Sequence, residues 1–308
     1  MRLVGLFAPS PADSMRPTHR PKKERFLVRL LSPLGSYAAN TLLCPSAAVA
    51  INPDICFSVI DCQEDEGFSE IDNLTPAELP ILATMMLCVE KGEIPIYPYP
   101  TQQCLFLRKS DEQLLDGPSV HEAGNWLRAY VKRNRLEHGL ADLIHRPPAA
   151  GGSQYNLIPS EGRNKSRVTV LDYLNSADPV CIRGVASLLK ANMAWSHSEL
   201  QEAARISLWV ALDAAHSIIL ERLRLSGNTR PTSEDAAEYV YKAYGISGVW
   251  EKFFEEDYEN RIRFIHPDSR FGAEARPWLL ADDFYELNEN LIDLFYFLAT
   301  GIPRDRQS

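Results

Sequence analysis

From Pro179 to the C-terminus the sequence carries helix signals and no strand signals, and this run is the strongest constraint on what the chain can fold into. Val180 to Trp195 reads as one helix. Ser198-Glu199-Leu200-Gln201 then supplies a capping-box pattern that opens a long helix to about Leu225, closed by Gly227. Thr232 to Tyr244 predicts a short helix stopped by Gly245. Val249 to about Ile265 predicts another stopped by Pro267, and Asp282 to about Thr300 the last, closed by Gly301 and Pro303. In that final helix Phe284, Leu287, Leu291, Leu294, Phe295 and Leu298 recur at three- and four-residue steps, which places them on one stripe. Four or five antiparallel helices joined by short turns make an all-α bundle over residues 179–303. No internal repeat is visible.

The first half is patterned differently. Residues 1–22 hold four prolines and basic residues without periodicity, which predicts a flexible tail. Phe26 to Leu31 and Ile55 to Ile60 are short β-branched or aromatic runs bounded by breakers, so both predict strands. Thr75-Pro76-Ala77-Glu78 supplies a Thr N-cap, a Pro at the first helical position and a Glu at the capping-box position, for a helix to about Glu90. Ile94 to Leu107 is strand-like but interrupted by Pro95, Pro98 and Pro100, which confines a strand to an edge or to Gln102–Arg108. Ser119 to about His138 predicts a further helix. Arg146 to Arg167, rich in Pro, Gly and polar residues, reads as a linker or exposed loop, followed by a short apolar run from Val168 to Leu174. Residues 23–178 are therefore expected to form an α+β domain.

Composition narrows function more than fold. Lys+Arg 32 against Asp+Glu 41 gives a net charge of −9, so the chain has no global attraction for nucleic acid or an anionic membrane. Nucleic acid would have to be engaged locally. The 6 cysteines form no C-x-x-C pair and meet no His at zinc-finger spacing, so neither a metal module nor a disulfide framework is expected. Leu3 to Ala8 is too short for a secretory signal, and Ile206 to Leu220, the richest apolar segment, contains Asp213 and His216. These features predict a cytoplasmic chain with no membrane span. Phosphate-loop, dinucleotide, nucleophile-elbow and zincin motifs are all missing, so no cofactor and no metal is expected.

The densest unusual segment runs from Tyr258 to Gly272, reading Tyr-Glu-Asn-Arg-Ile-Arg-Phe-Ile-His-Pro-Asp-Ser-Arg-Phe-Gly, and leads through Arg276-Pro277-Trp278 into Ala281-Asp282-Asp283-Phe284-Tyr285-Glu286. An Arg and a His with four residues between them suit phosphate chemistry. Guanidinium grips a phosphate bidentately and stays charged, while imidazole exchanges a proton near neutral pH. A bundle carrying Arg-x4-His-Pro before its last helix resembles the HEPN superfamily, many of whose members are metal-independent endoribonucleases. The resemblance covers roughly residues 180–303. It implies a HEPN-like four- or five-helix bundle in which Arg261 and His266 form the catalytic pair, two copies facing each other across a homodimer two-fold. It also implies RNA as the partner, with Asn260, Arg263 and Arg270 contacting its backbone, and a setting in toxin or anti-phage defence with an antitoxin or regulatory protein. The rival expectation is a non-catalytic dimerisation or partner-binding module.

The same spacing occurs again in Arg133-Asn134-Arg135-Leu136-Glu137-His138-Gly139, an alternative catalytic pair of Arg133 and His138 outside the bundle. Its bland alternative is a basic helix end capped by Gly139. Asp257 and Glu259, each four residues before an arginine, offer Arg261 and Arg263 purely structural partners. Asp282 and Asp283 read as helix-start residues, His216 as a bundle residue, and Trp209, Trp250 and Trp278 as core fillers.

Overall fold

The computed structural model describes residues 24–32, 40–43, 47–51, 56–63, 78–88, 99–108, 161–195, 198–244, 254 and 281–304. Strands β1 (Glu24–Ser32), β2 (Asn40–Leu43), β3 (Ala47–Ile51), β4 (Cys56–Gln63) and β5 (Tyr99–Arg108) form one antiparallel sheet of order β2-β3-β4-β1-β5. Both runs expected as strands are there, paired with each other at the centre. The Pro-interrupted run is the edge strand β5, and its register against β1 shifts between Arg29 and Leu31, next to the rung that pairs Leu31 with Pro100. An edge strand tolerates the loss of the N–H donor that proline lacks. Strands β2 and β3 are not among the expected elements: each is only four or five residues long, and the three alanines of β3 dilute the signal of Val49 and Ile51.

Register determines which side chains share a face. Leu27 pairs with Ile60 and Arg29 with Ser58, and Leu31 lies two residues beyond Arg29, so these five point the same way. Helix α1 (Leu79–Leu87) lies over that face. Eight of its nine residues are buried, as expected of a helix that is apolar all round. The Thr75 cap proposed from sequence lies outside the described residues. In the structure Glu78 occupies the N-cap and Pro80 the first turn, and no side chain caps the helix. The Glu78 carboxylate turns instead to the sheet: Arg29 Nε lies 2.8 Å from Oε1, and Ser58 Oγ donates to the same oxygen at 3.2 Å. One residue thus anchors the helix to two paired strands.

After residue 160 every described element is helical. Helix α2 (Glu161–Ser176) corrects the expectation of a loop up to Arg167 followed by a separate short run. Its first two turns are polar and hide the pattern. Val170 and Leu174, four apart and both buried, supply the stripe that holds it. Helix α3 (Pro179–Trp195) starts on a cap unread in the sequence: the Asp178 carboxylate accepts the N–H groups of Val180 at 2.7 Å and Cys181 at 3.0 Å, with Pro179 at the first helical position. Ser198–Leu200 is a 3-10 turn rather than a capping box, and α4 (Gln201–Leu225) follows it without a side-chain cap. It ends in a Schellman motif, Asn228 N–H to Leu223 O and Gly227 N–H to Arg224 O, with Gly227 at φ 106°. Thr232 and Asp235 cap α5 (Ser233–Tyr244) reciprocally, the Asp235 N–H donating to Thr232 Oγ1 and the Thr232 N–H to the carboxylate. Helix α6 (Ala281–Thr300) buries all six residues of the expected stripe and ends at Gly301, φ 73°. The helix expected over 249–265 lies outside the described residues except for Phe254, which is helical and buried.

One hydrophobic cluster runs from Leu27, Leu31, Val49 and Ile60 through α1 into the helices. Helix α1 packs on α2, α3 and α6, and α3 packs along α4. Three polar joints interrupt this core. Asn192 Nδ2 donates to Asn288 Oδ1 at 2.7 Å between α3 and α6. Arg304, just past α6, is buried against Asp293, with Nε 2.6 Å from Oδ1, and also pairs with Glu289. Arg222 of α4 donates to the Leu298 carbonyl and to the Tyr173 hydroxyl, tying the ends of α4, α6 and α2. By length and composition residues 198–225 are apolar enough to cross a membrane, with a mean hydropathy of 1.4 over 18 residues. That helix is instead built into the core, where Leu208, Trp209, Leu212, Ala215 and Ile219 are buried.

Candidate functional site

Arg261, His266, Asn260, Arg263 and Arg270 lie outside the described residues, and so do Arg133 and His138. The structure does describe what flanks the first group. Helix α5 ends at Tyr244, Phe254 is buried, and α6 begins at Ala281. Two clusters mark these points.

At the start of α6, Phe284 stacks on Trp195 with ring centroids 3.9 Å apart and planes 4° from parallel. Tyr285 meets Trp195 edge-on at 6.2 Å, and the Arg205 guanidinium lies 5.8 Å from the Trp195 ring centroid. Glu202 and Asp283 both act electrostatically on Arg205. Here α3, α4 and α6 meet through Trp195, the Arg205 guanidinium, and Phe284 with Tyr285.

The second cluster holds Phe254 to the bundle. Its ring lies 5.0 Å from that of His216, tilted by 49°. The half-buried imidazole also meets the first residue of α5: Ser233 Oγ lies 3.2 Å from His216 Nε2. Burial pushes the His216 pKa below its ordinary value, and the carboxylate of Asp213, one turn earlier on α4, partly opposes that. The sequence places His216 in the bundle, as found, but no single motif singles out Ser233. The signal was present in two pieces, a turn at Gly227 and a cap at Thr232, which fold α5 back along α4 so that residues 17 apart meet.

Cys88 and Cys181 are both buried and free. Burial raises the Cys88 thiol to about 12, against weaker opposing pulls from Arg167 and Arg304. It likewise raises Cys181 to about 11. A thiol is nucleophilic only as thiolate. Iodoacetamide at pH 8 is therefore expected to leave both unmodified in the native protein and to label both in denaturant, as read by peptide mass mapping. Stability follows the same shift. Both folded-state values are raised, so this contribution is complete below pH 9 and is lost as the pH rises through the folded values toward 11 and 12. Among the described residues no group of three or more His, Cys, Asp or Glu is placed to hold a metal.

No protein-family model, curated protein or solved structure matches the chain.

Proposed function

We propose that the chain is a metal-independent endoribonuclease of HEPN type, acting in the cytoplasm as a homodimer with Arg261 and His266 as its catalytic pair. The observation that carries this reading is the position of Arg-x4-His-Pro in the sequence, directly ahead of a helix that forms the centre of the bundle. The described part of the resembling block, Ala281 to Gly301, has the features the reading needs: a buried apolar stripe and a left-handed terminal glycine.

The mechanism follows from the two side chains. His266 takes the proton of an RNA 2′-hydroxyl, whose oxygen attacks the adjacent phosphorus, and a protonated imidazole returns a proton to the leaving 5′-oxygen. Arg261 stabilises the charge that builds on the phosphorane oxygens. Asn260, Arg263 and Arg270 hold the backbone on either side. The products are a 2′,3′-cyclic phosphate and a 5′-hydroxyl. DNA lacks the attacking group and is not cut. A site this reactive in a cell calls for an antitoxin or regulatory protein, and defence is the setting that fits both.

Purified protein incubated with mixed RNA and a chelator is expected to cleave it. The rate should fall about 10²- to 10⁴-fold in His266→Ala and stay unchanged in His138→Ala. The opposite pattern would move the chemistry to Arg133 and His138. No cleavage by a stable dimer would replace the proposal with a partner-binding module.

A further inference from the structure

The contact between α4 and α5 brings together a hydroxyl, an imidazole and a carboxylate that the RNA-cleavage reading does not use. We infer that Ser233, His216 and Asp213 form a second, hydrolytic site for carboxylic esters, with Ser233 Oγ, 3.2 Å from His216 Nε2, as its nucleophile. Four observations converge on it. Ser233 is exposed, so an acyl group can reach it, whereas the imidazole is half-buried and held in place by Phe254. The distance is within hydrogen-bond reach for a base that must take the hydroxyl proton. Asp213 precedes His216 by three residues on the same helix face, and its charge favours the imidazolium that forms when the base takes a proton. The imidazole is shifted toward its neutral form, the form that acts as base.

The backbone adds the remaining component. Ser233 and Glu234 are the first two residues of α5, so their N–H groups have no acceptor within the helix. The capping box takes the next N–H, that of Asp235, for Thr232 Oγ1. Two donors beside the nucleophile are what an oxyanion needs, one of them the nucleophile's own N–H.

The reaction balances without a cofactor. Ser233 Oγ attacks the carbonyl carbon of the ester as His216 Nε2 accepts its proton. The C–O bond to the alcohol breaks as the imidazolium returns that proton to the leaving oxygen, and an acyl-serine remains. Water, deprotonated by His216, then attacks the acyl carbon, and the carboxylic acid departs as Ser233 recovers its proton. The net change is ester plus water to acid plus alcohol. This site is independent of Arg261 and His266, so RNA cleavage and ester hydrolysis can succeed or fail separately.

Diisopropyl fluorophosphate tests it on the full chain. One phosphoryl adduct is expected, mapped by peptide mass to Ser233 and absent in Ser233→Ala. Labelling should slow about 10²-fold or more in His216→Gln, with far-UV circular dichroism unchanged. Asp213→Asn should slow it about 10-fold, and Asp213→Glu should restore part of the rate, a rescue that a merely structural carboxylate would not give. 4-Nitrophenyl acetate should release one equivalent of nitrophenol in a burst. No adduct, an adduct elsewhere, or a labelling rate unchanged in folded His216→Gln overturns the proposal.

Discussion

Glu78→Leu is expected to lower stability by about 3–5 kcal/mol, because it removes the carboxylate that the buried Arg29 guanidinium pairs with at 2.8 Å. The Arg29 side chain is 3% exposed and that of Glu78 is 0% exposed, so water cannot replace the lost partner. Ser58 loses its acceptor on the same oxygen. A single domain has only about 5–15 kcal/mol of stability in total, so the loss should be visible as an early urea transition. The paired change Arg29→Met with Glu78→Leu should recover much of it. It removes both charges at once and fills the space with apolar atoms, and buried ion pairs commonly survive that exchange at little cost. If the double variant recovers stability, the pair acts mainly as a specifier, favouring the approach of α1 to the rung Arg29–Ser58 over one that leaves a charge unmatched. If Glu78→Leu unfolds at the same urea concentration as the native chain, the ion pair is not formed in solution.

That joint also shows how far the sequence was legible. Glu78 was read in its local role, as a capping-box residue three positions after Thr75. Such motifs involve residues a few positions apart and can be read directly from a chain. Its structural role depends on Arg29, 49 positions earlier, and on a register that pairs Arg29 with Ser58. No local pattern encodes that. The contrast recurs throughout the molecule. The α6 stripe, the Gly227 and Gly301 stops, the two central strands and the edge placement of β5 rest on side-chain period and backbone sterics, and they could be read from sequence. Helix α2 could not, because its polar first turns look like a loop until Val170 and Leu174 find a core supplied by other segments. The proposed functional residues divide the same way. Arg261 and His266 are neighbours in sequence and could be proposed from it. Ser233 and His216 meet only because α5 folds back along α4.

Gly184 carries the second large effect, and here the structure reverses the ordinary rule. A glycine inside a helix costs about 1 kcal/mol relative to alanine, so Gly184→Ala would normally stabilise α3. At this position an added Cβ would lie 2.6 Å from Phe295 Cζ and 2.7 Å from the Ala214 Cβ. Both distances are far inside van der Waals contact. The obstacles are on opposing helices, α6 and α4, and neither can retreat cheaply: Phe295 is 1% exposed, and the Ala214 Cβ is fixed to its backbone. Overpacking of this kind costs about 3 kcal/mol at its usual upper end, so Gly184→Ala should lose about 2 kcal/mol net and Gly184→Val more. Phe295→Leu removes the ring atom that collides. Alone it leaves a void and is destabilising, but combined with Gly184→Ala the two costs should partly cancel, giving a favourable interaction term in a double-mutant cycle followed by thermal melts. Ala214→Gly should relieve the same alanine from the other side. A rise in melting temperature for Gly184→Ala alone would mean that α3 does not approach α4 and α6 this closely. The bundle into which α6 is packed would then have a different core.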